Sequence, residues 1–172
     1  MLGLGKERWH IFEAYCRNLM ISKSVKRKVE LQSHKCAGMR GRKPRYEEIK
    51  TIMLGGCKNI QLSPDVVNSA KRNRNVLVHS TNPNNKPFFD FMYQDESNHF
   101  HAFQATIAQK HDAKVENIKQ LETLVGGAQK LPSYFLVPGD IFHKFVTNPV
   151  NSSKEGGWSI CHVMVPDPNA SP

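Results

Sequence analysis

Residues 88–112, FFDFMYQDESNHFHAFQATIAQKHD, decide the fold. Two aromatic-rich runs flank the polar segment QDESN, a pattern that predicts a β-hairpin with a tight, charged turn. Polar side chains interrupt these apolar strands: Asp90 in the first strand, and Gln104 and Thr106, two residues apart, in the second. His111 follows where we expect the second strand to give way to a helix. Polar groups inside such hydrophobic strands indicate a candidate site.

The chain length and composition predict one α/β domain. A chain of 172 residues is long enough to bury a core. We assign residues 1–165 to a single domain and residues 166–172 to a loose Pro-rich tail. No apolar run approaches the ~18 residues of a membrane span, and the N-terminus lacks the apolar region of a signal peptide. The four cysteines form no CxxC pair, so we expect reduced thiols in an intracellular protein.

Most of the net charge of +9 lies in one stretch. Between residues 23 and 45 stand nine Lys or Arg against one acid, Glu30, which is a net +8. A basic block of this density is typical of a phosphate-binding surface, and the stretch has no amphipathic apolar face for a bilayer. A solvated loop is the alternative. The residues that we expect to contact nucleic acid are Lys26, Arg27, Lys28, Arg40, Arg42, Lys43 and Arg45.

The periodicity of the remaining segments predicts an alternation of helices and strands around one sheet. Trp9, Phe12, Cys16, Leu19 and Met20 recur at helical spacing within residues 7–21, with Glu13 at the edge of that stripe. Before the hairpin we expect a strand over 22–33, a helix or strand over 46–54, a basic helix over 66–75 with Ser63 as its N-cap, and a short strand over 76–79. After the hairpin we expect a helix over 113–125 capped by Asp112, a buried strand over 133–137, a short helix over 140–146 and a last strand over 158–165.

The polar residues of the hairpin suit a divalent cation. In an alternating strand Gln104 and Thr106 share one face, and Asp90 on the neighbouring strand would converge with Gln104 if it lies on that face. Carboxylate and amide oxygens are ligands for Mg²⁺, and Glu13 from the first helix would add a second carboxylate. The alternative for Asp90 is a structural hydrogen bond to a neighbouring loop. We expect His99 and His101 to face solvent.

Four motifs occur in one order over roughly residues 9–145. They are Phe12-Glu13-Ala14-Tyr15, then Asp90, then Gln104-Ala105-Thr106 with His111, then Phe135-Leu136-Val137-Pro138 with Phe142 and Phe145. This series resembles the C-terminal nuclease-like domain of the Crinkler effectors and the related trypanosome retrotransposon hot spot proteins. The resemblance implies the PD-(D/E)XK fold, a restriction-endonuclease-like mixed central sheet flanked by helices.

The resemblance also implies roles for individual residues. Glu13 would be the helical acid, Asp90 the strand metal ligand, and Gln104 the third ligand where the fold usually has Glu or Asp. Thr106 stands where the fold has Lys, so the positively charged side chain of the site would have to be a protonated His111 or Lys110. Together, Glu13, Asp90, Gln104, Thr106 and His111 form the expected catalytic set. Arg17 stands where the family usually has His.

The function implied is a DNA-cleaving effector domain that uses Mg²⁺ or Mn²⁺ to hydrolyse phosphodiesters and acts in the nucleus of a host cell. The basic runs KSVKRK and RGRKPR agree with a nuclear protein. Two alternatives stay open. One is a degenerate nuclease fold that binds nucleic acid or protein, and the other is a structural subunit of a larger assembly.

Overall fold

The chain folds around one mixed β-sheet with helices on both faces, as the sequence predicts for an α/β domain. The computed structural model describes residues 3–21, 25–33, 46–81, 89–127, 131, 133–150 and 159–166. Within these ranges the helices are α1 (Gly3–Ile21), α2 (Val66–Arg72) and α3 (Val115–Val125), with one turn of 3₁₀-helix at Phe142–Lys144. The strands are β1 (Val25–Ser33), β2 (Tyr46–Leu54), β3 (Asn59–Ser63), β4 (Val76–Ser80), β5 (Phe91–Gln94), β6 (Phe100–Ala105), β7 (Lys110–Lys114), β8 (Ser133–Pro138), β9 (Val146–Val150) and β10 (Ser159–Val165).

In the described part of the chain, eight strands form the main sheet in the order β2-β1-β10-β8-β6-β5-β4-β3. The pairs β3–β4, β6–β8 and β8–β10 are parallel, whereas β5 is antiparallel to both of its neighbours. The carboxyl ends of β3, β4, β6, β8 and β10 therefore lie at one edge of the sheet, together with the amino end of β5. We call this the carboxyl edge.

Strand alternation divides the core into two layers. Helix α1 covers one face, where Cys16 and Met20 pack with Phe91 and Phe103. Helices α2 and α3 cover the other face, where Val66 and Leu121 belong to a second cluster and Phe135 to a third. The predicted hairpin is confirmed as β5 and β6, with Phe91 opposite Phe103.

Two predicted helix starts were wrong. The N-cap of α2 is Asp65, whose Oδ1 accepts a hydrogen bond from the Asn68 amide at 3.2 Å, while Ser63 still belongs to β3. Asp112 does not cap α3, because Lys110–Lys114 forms β7 and the helix begins only at Val115. β7 pairs in parallel with β9, a strand that the sequence did not indicate.

The end of α3 was predicted correctly, and its cause is the backbone of Gly126. This residue has φ of +117°, a left-handed conformation that glycine adopts without a steric penalty. The amide of Gly127 then donates to the carbonyl of Glu122 at 2.8 Å, which satisfies a carbonyl group left over at the end of the helix.

Candidate functional site

Two buried acids from different parts of the chain lie at the carboxyl edge. Glu13 lies on the buried stripe of α1 and is 5% exposed, and Asp90 lies one residue before β5 and is also 5% exposed. Ligands of open α/β sheets bind outside the carboxyl ends of the strands, which is where both side chains lie. Of the described helices, none is long and apolar enough to cross a membrane.

Asp90 is held by the strand next to it. Its Oδ2 accepts a hydrogen bond from the amide of Ala105 at 2.8 Å, and its own amide donates to the carbonyl of Phe103 at 2.7 Å. The indole Nε1 of Trp9 donates to the carbonyl of Ala105 at 3.3 Å. The N–H and the carbonyl of Ala105, the last residue of β6, are therefore bonded to the acid and to α1, respectively.

Backbone pairing brings the two acids to the same part of the sheet. Glu13 is bonded to His79, which lies opposite Phe91 across the β4–β5 pair, and Asp90 is the residue before Phe91. Burial raises the pKa of the Cys16 thiol far above its ordinary value, and the carboxylates of Asp90 and Glu13 raise it further. Cys16 lies one helical turn after Glu13 and is 1% exposed.

His79 on β4 is a member of this site that sequence reasoning missed. Its Nε2 donates a hydrogen bond to Oε1 of Glu13 at 2.8 Å, and the two side chains are 15% and 7% exposed. The ring also stacks on Phe91, with centroids 6.3 Å apart. The two residues are 66 positions apart in the chain, so no local spacing could have connected them.

Gln104 lies on the face of the sheet opposite α1. Its neighbours Phe103 and Ala105 both belong to the cluster under α1, so alternation directs Gln104 away from α1 and beside Phe135. Gln104 and Glu13 therefore lie on opposite faces of the sheet, and the convergence of Gln104 with Asp90 stays a prediction. The Oε1 atom of Gln104 is buried and has no hydrogen-bond partner among the described residues.

The printed hydrogen bonds of Thr106 and His111 go to groups other than the two acids. The amide of Thr106 donates to the carbonyl of Leu136 at 3.0 Å, so hydrogen bonding to β8 continues one residue past the end of β6, and the common face of Gln104 and Thr106 stays a prediction. The hydroxyl of Thr106 accepts a hydrogen bond from the amide of Ala108 at 3.2 Å. The Nδ1 of His111 donates to the carbonyl of Asp112 at 3.0 Å, and its ring packs on Phe135 at 5.1 Å, on the face opposite α1.

The expected nucleic-acid residues are described only in part. Lys26, Arg27 and Lys28 lie on β1. The remaining four, Arg40, Arg42, Lys43 and Arg45, lie outside the described residues.

Among the described residues, the buried acids at the carboxyl edge are Glu13 and Asp90. No group of three or more His, Cys, Asp or Glu side chains that could hold a metal ion occurs within the ranges that the structure describes. Mg²⁺ needs only one or two protein carboxylates because it keeps several waters. Glu13 and Asp90 are thus compatible with such an ion in number and in kind.

A second histidine–carboxylate pair lies at the opposite edge of the sheet. The Nε2 of His101 donates to Oδ2 of Asp95 at 3.0 Å, and the ring stacks on Tyr93 at 4.8 Å. The prediction that His101 faces solvent was therefore wrong, since only 17% of its side chain is exposed. His99 is 57% exposed, as predicted. Asp95 and His101 line an open cleft with Glu96 and other polar residues.

His101 gives the fold a predictable dependence on pH. Burial lowers the pKa of His101 below its ordinary 6.5, although the bond to Asp95 acts in the opposite direction. The unfolded chain then binds the proton more readily, so the stability contributed by neutral His101 is present above pH 6.5 and is lost as the pH falls through the pKa of the folded state. We expect urea denaturation to show a smaller loss of stability between pH 7.5 and 5.5 for His101→Gln than for the unmutated chain. An equal loss in both would contradict this account.

Comparison of the chain with protein-family models, with curated proteins and with solved structures found no match. The class that the fold establishes is an α/β domain with a mixed central sheet.

Proposed function

We propose that the chain is a metal-dependent phosphodiesterase that cleaves nucleic acid, with a restriction-endonuclease-like fold. The observation that carries this proposal is the placement of two buried carboxylates at the carboxyl edge: Glu13 is bonded to His79 on β4, and Asp90 precedes Phe91, the residue opposite His79 on β5. Like charges held close together in a buried location destabilise each other unless a cation or a proton is shared between them. Such arrangements cluster at functional sites.

The residues suit a divalent cation, Mg²⁺ or Mn²⁺. Glu13 and Asp90 would hold it. The amide oxygen of Gln104, the third ligand that the resemblance implies, is buried and without a hydrogen-bond partner in the described ranges, but it lies on the face of the sheet opposite α1. When bound, the ion would polarise a phosphoryl oxygen and favour the deprotonation of an attacking water. The chain itself holds Asp90 in place through the Ala105 amide.

The substrate class follows from charge. The net +8 over residues 23–45 favours a polyanion with many phosphates, and the resemblance of the motifs favours DNA. Action in a nucleus is a part of the same proposal and rests on the resemblance and on the basic runs. Phosphates of the nucleic-acid backbone would contact the basic residues of 23–45, while the phosphate to be cleaved would lie at the carboxyl edge.

A second candidate is a nucleic-acid-binding module without catalysis. The observation in its favour is that both acids already have protein partners: Glu13 bonds to His79, and Asp90 to the amide of Ala105. The replacement of the usual lysine by Thr106, whose hydroxyl is used in a turn, points the same way. Such a module would bind DNA in a salt-sensitive way with or without a divalent ion.

A plasmid-nicking assay separates the two candidates. With Mg²⁺ or Mn²⁺ the unmutated chain is expected to convert supercoiled plasmid to nicked or linear forms, and excess EDTA is expected to stop the reaction. Salt-sensitive plasmid binding without nicking under any divalent ion would overturn the phosphodiesterase proposal and support the binding module. Cleavage that persists in EDTA would contradict the metal requirement.

A further inference from the structure

Glu13 has a partner that fixes the position of its carboxylate. His79 projects from β4 toward α1, and its Nε2 lies 2.8 Å from Oε1 of Glu13. The histidine is itself held, because Phe91 lies opposite it across the β4–β5 pair and stacks on its ring. A side chain fixed on β4 thus determines the position of the Glu13 carboxylate on α1.

The residues expected to assist the acids lie elsewhere. The hydroxyl of Thr106 is engaged in a turn, and His111 packs on Phe135 on the opposite face of the sheet. Lys110, the other candidate for the positively charged side chain of the site, is exposed on β7, in the small two-stranded sheet. His79 is the histidine in direct contact with Glu13.

We propose that His79 is a positioning residue of the carboxyl-edge site, which donates from Nε2 to the Glu13 carboxylate and so orients that acid toward a divalent ion shared with Asp90. This role rests on the proposed function, because it needs the ion to bind. Carboxylates that ligate metals are themselves held by hydrogen bonds, and removing such a partner typically weakens metal affinity by 10- to 100-fold. His79 acts through Glu13 and does not need to touch the ion.

Calorimetric titration with Mn²⁺ tests this role without relying on activity. We expect His79→Ala to bind Mn²⁺ at least about tenfold more weakly than the unmutated chain. His79→Gln, which retains a side-chain N–H close to the position of Nε2, is expected to recover most of the affinity. The matched control is His101→Ala, which removes a similarly buried histidine–carboxylate pair at the opposite edge of the same sheet. It is expected to lower stability and to leave Mn²⁺ affinity unchanged.

A measurement on the unmutated chain covers the case in which His79→Ala does not fold. Addition of Mg²⁺ is expected to shift the imidazole resonances of His79 and not those of His101. Equal Mn²⁺ affinity in His79→Ala, or His79 resonances that do not move although the ion binds, would overturn the positioning role alone. Failure of the unmutated chain to bind any divalent ion would overturn the proposed function, and this role with it.

Discussion

Replacing Asp90 by asparagine is expected to lower nicking activity about a thousandfold while the chain stays folded. A bound metal contributes several kcal/mol of transition-state stabilisation, and each ~1.4 kcal/mol corresponds to a factor of ten in rate. Asparagine keeps an oxygen that can accept the hydrogen bond from the Ala105 amide, so the bond that holds this residue is retained. The substitution therefore removes the charge at the site and little else.

Two further variants make this result specific. Asp90→Ala would also leave the Ala105 amide without its partner, at a cost of about 1–3 kcal/mol in the free energy of unfolding, so it is the poorer test. Asp95→Asn is the matched control, because Asp95 also accepts from a backbone amide and a histidine, at the opposite edge of the sheet. Nicking by Asp90→Asn at the rate of the Asp95→Asn control would show that Asp90 holds no catalytic ion.

The largest effect on stability is expected from Phe103→Ala, which should lower the free energy of unfolding by about 4 kcal/mol. Phe103 is fully buried at the centre of the layer under α1, and its ring stacks with Tyr134 at 4.9 Å and with Tyr93 at 5.8 Å. Alanine would leave a cavity between three strands. Since small domains are stable by only about 5–15 kcal/mol, the variant would lose a large part of its stability.

Urea denaturation followed by circular dichroism measures this loss. The control is Leu124→Ala on α3, where the leucine is 56% exposed and its removal opens no cavity. We expect a change below about 1 kcal/mol for the control, in keeping with surface substitutions. Similar values for the two variants would mean that the stacked rings do not form the centre of this core.

The elements with a strong local pattern were predictable from the sequence. The spacing of Cys16 and Met20 indicated α1, the alternation around QDESN indicated the hairpin, and the uninterrupted apolar run indicated β8. Each of these patterns is set by burial on one face or on both, which leaves a signal in neighbouring residues. The strands β7 and β9 left none. Within the described ranges they pair with each other alone, and the alternating charged residues of β7 also suit the start of a helix.

The candidate site was predictable in part. Glu13 and Asp90 both lie at the carboxyl edge, but the role of their neighbours depends on contacts between distant segments. His79 was missed because its bond to Glu13 arises only where α1 crosses β4. The bond from the Ala108 amide to the Thr106 hydroxyl depends on how the chain leaves β6 after Ala105. Strand ends are set by tertiary contacts that alternation alone does not encode.

The central claim is that Glu13 and Asp90 share one divalent ion at the carboxyl edge. Anomalous diffraction from crystals soaked in Mn²⁺ tests it most directly, since the scattering locates the ion independently of any activity. We predict one strong peak bonded to carboxylate oxygens of both Glu13 and Asp90. Crystals that take up Mn²⁺ elsewhere, with no peak between these two acids, would contradict the account.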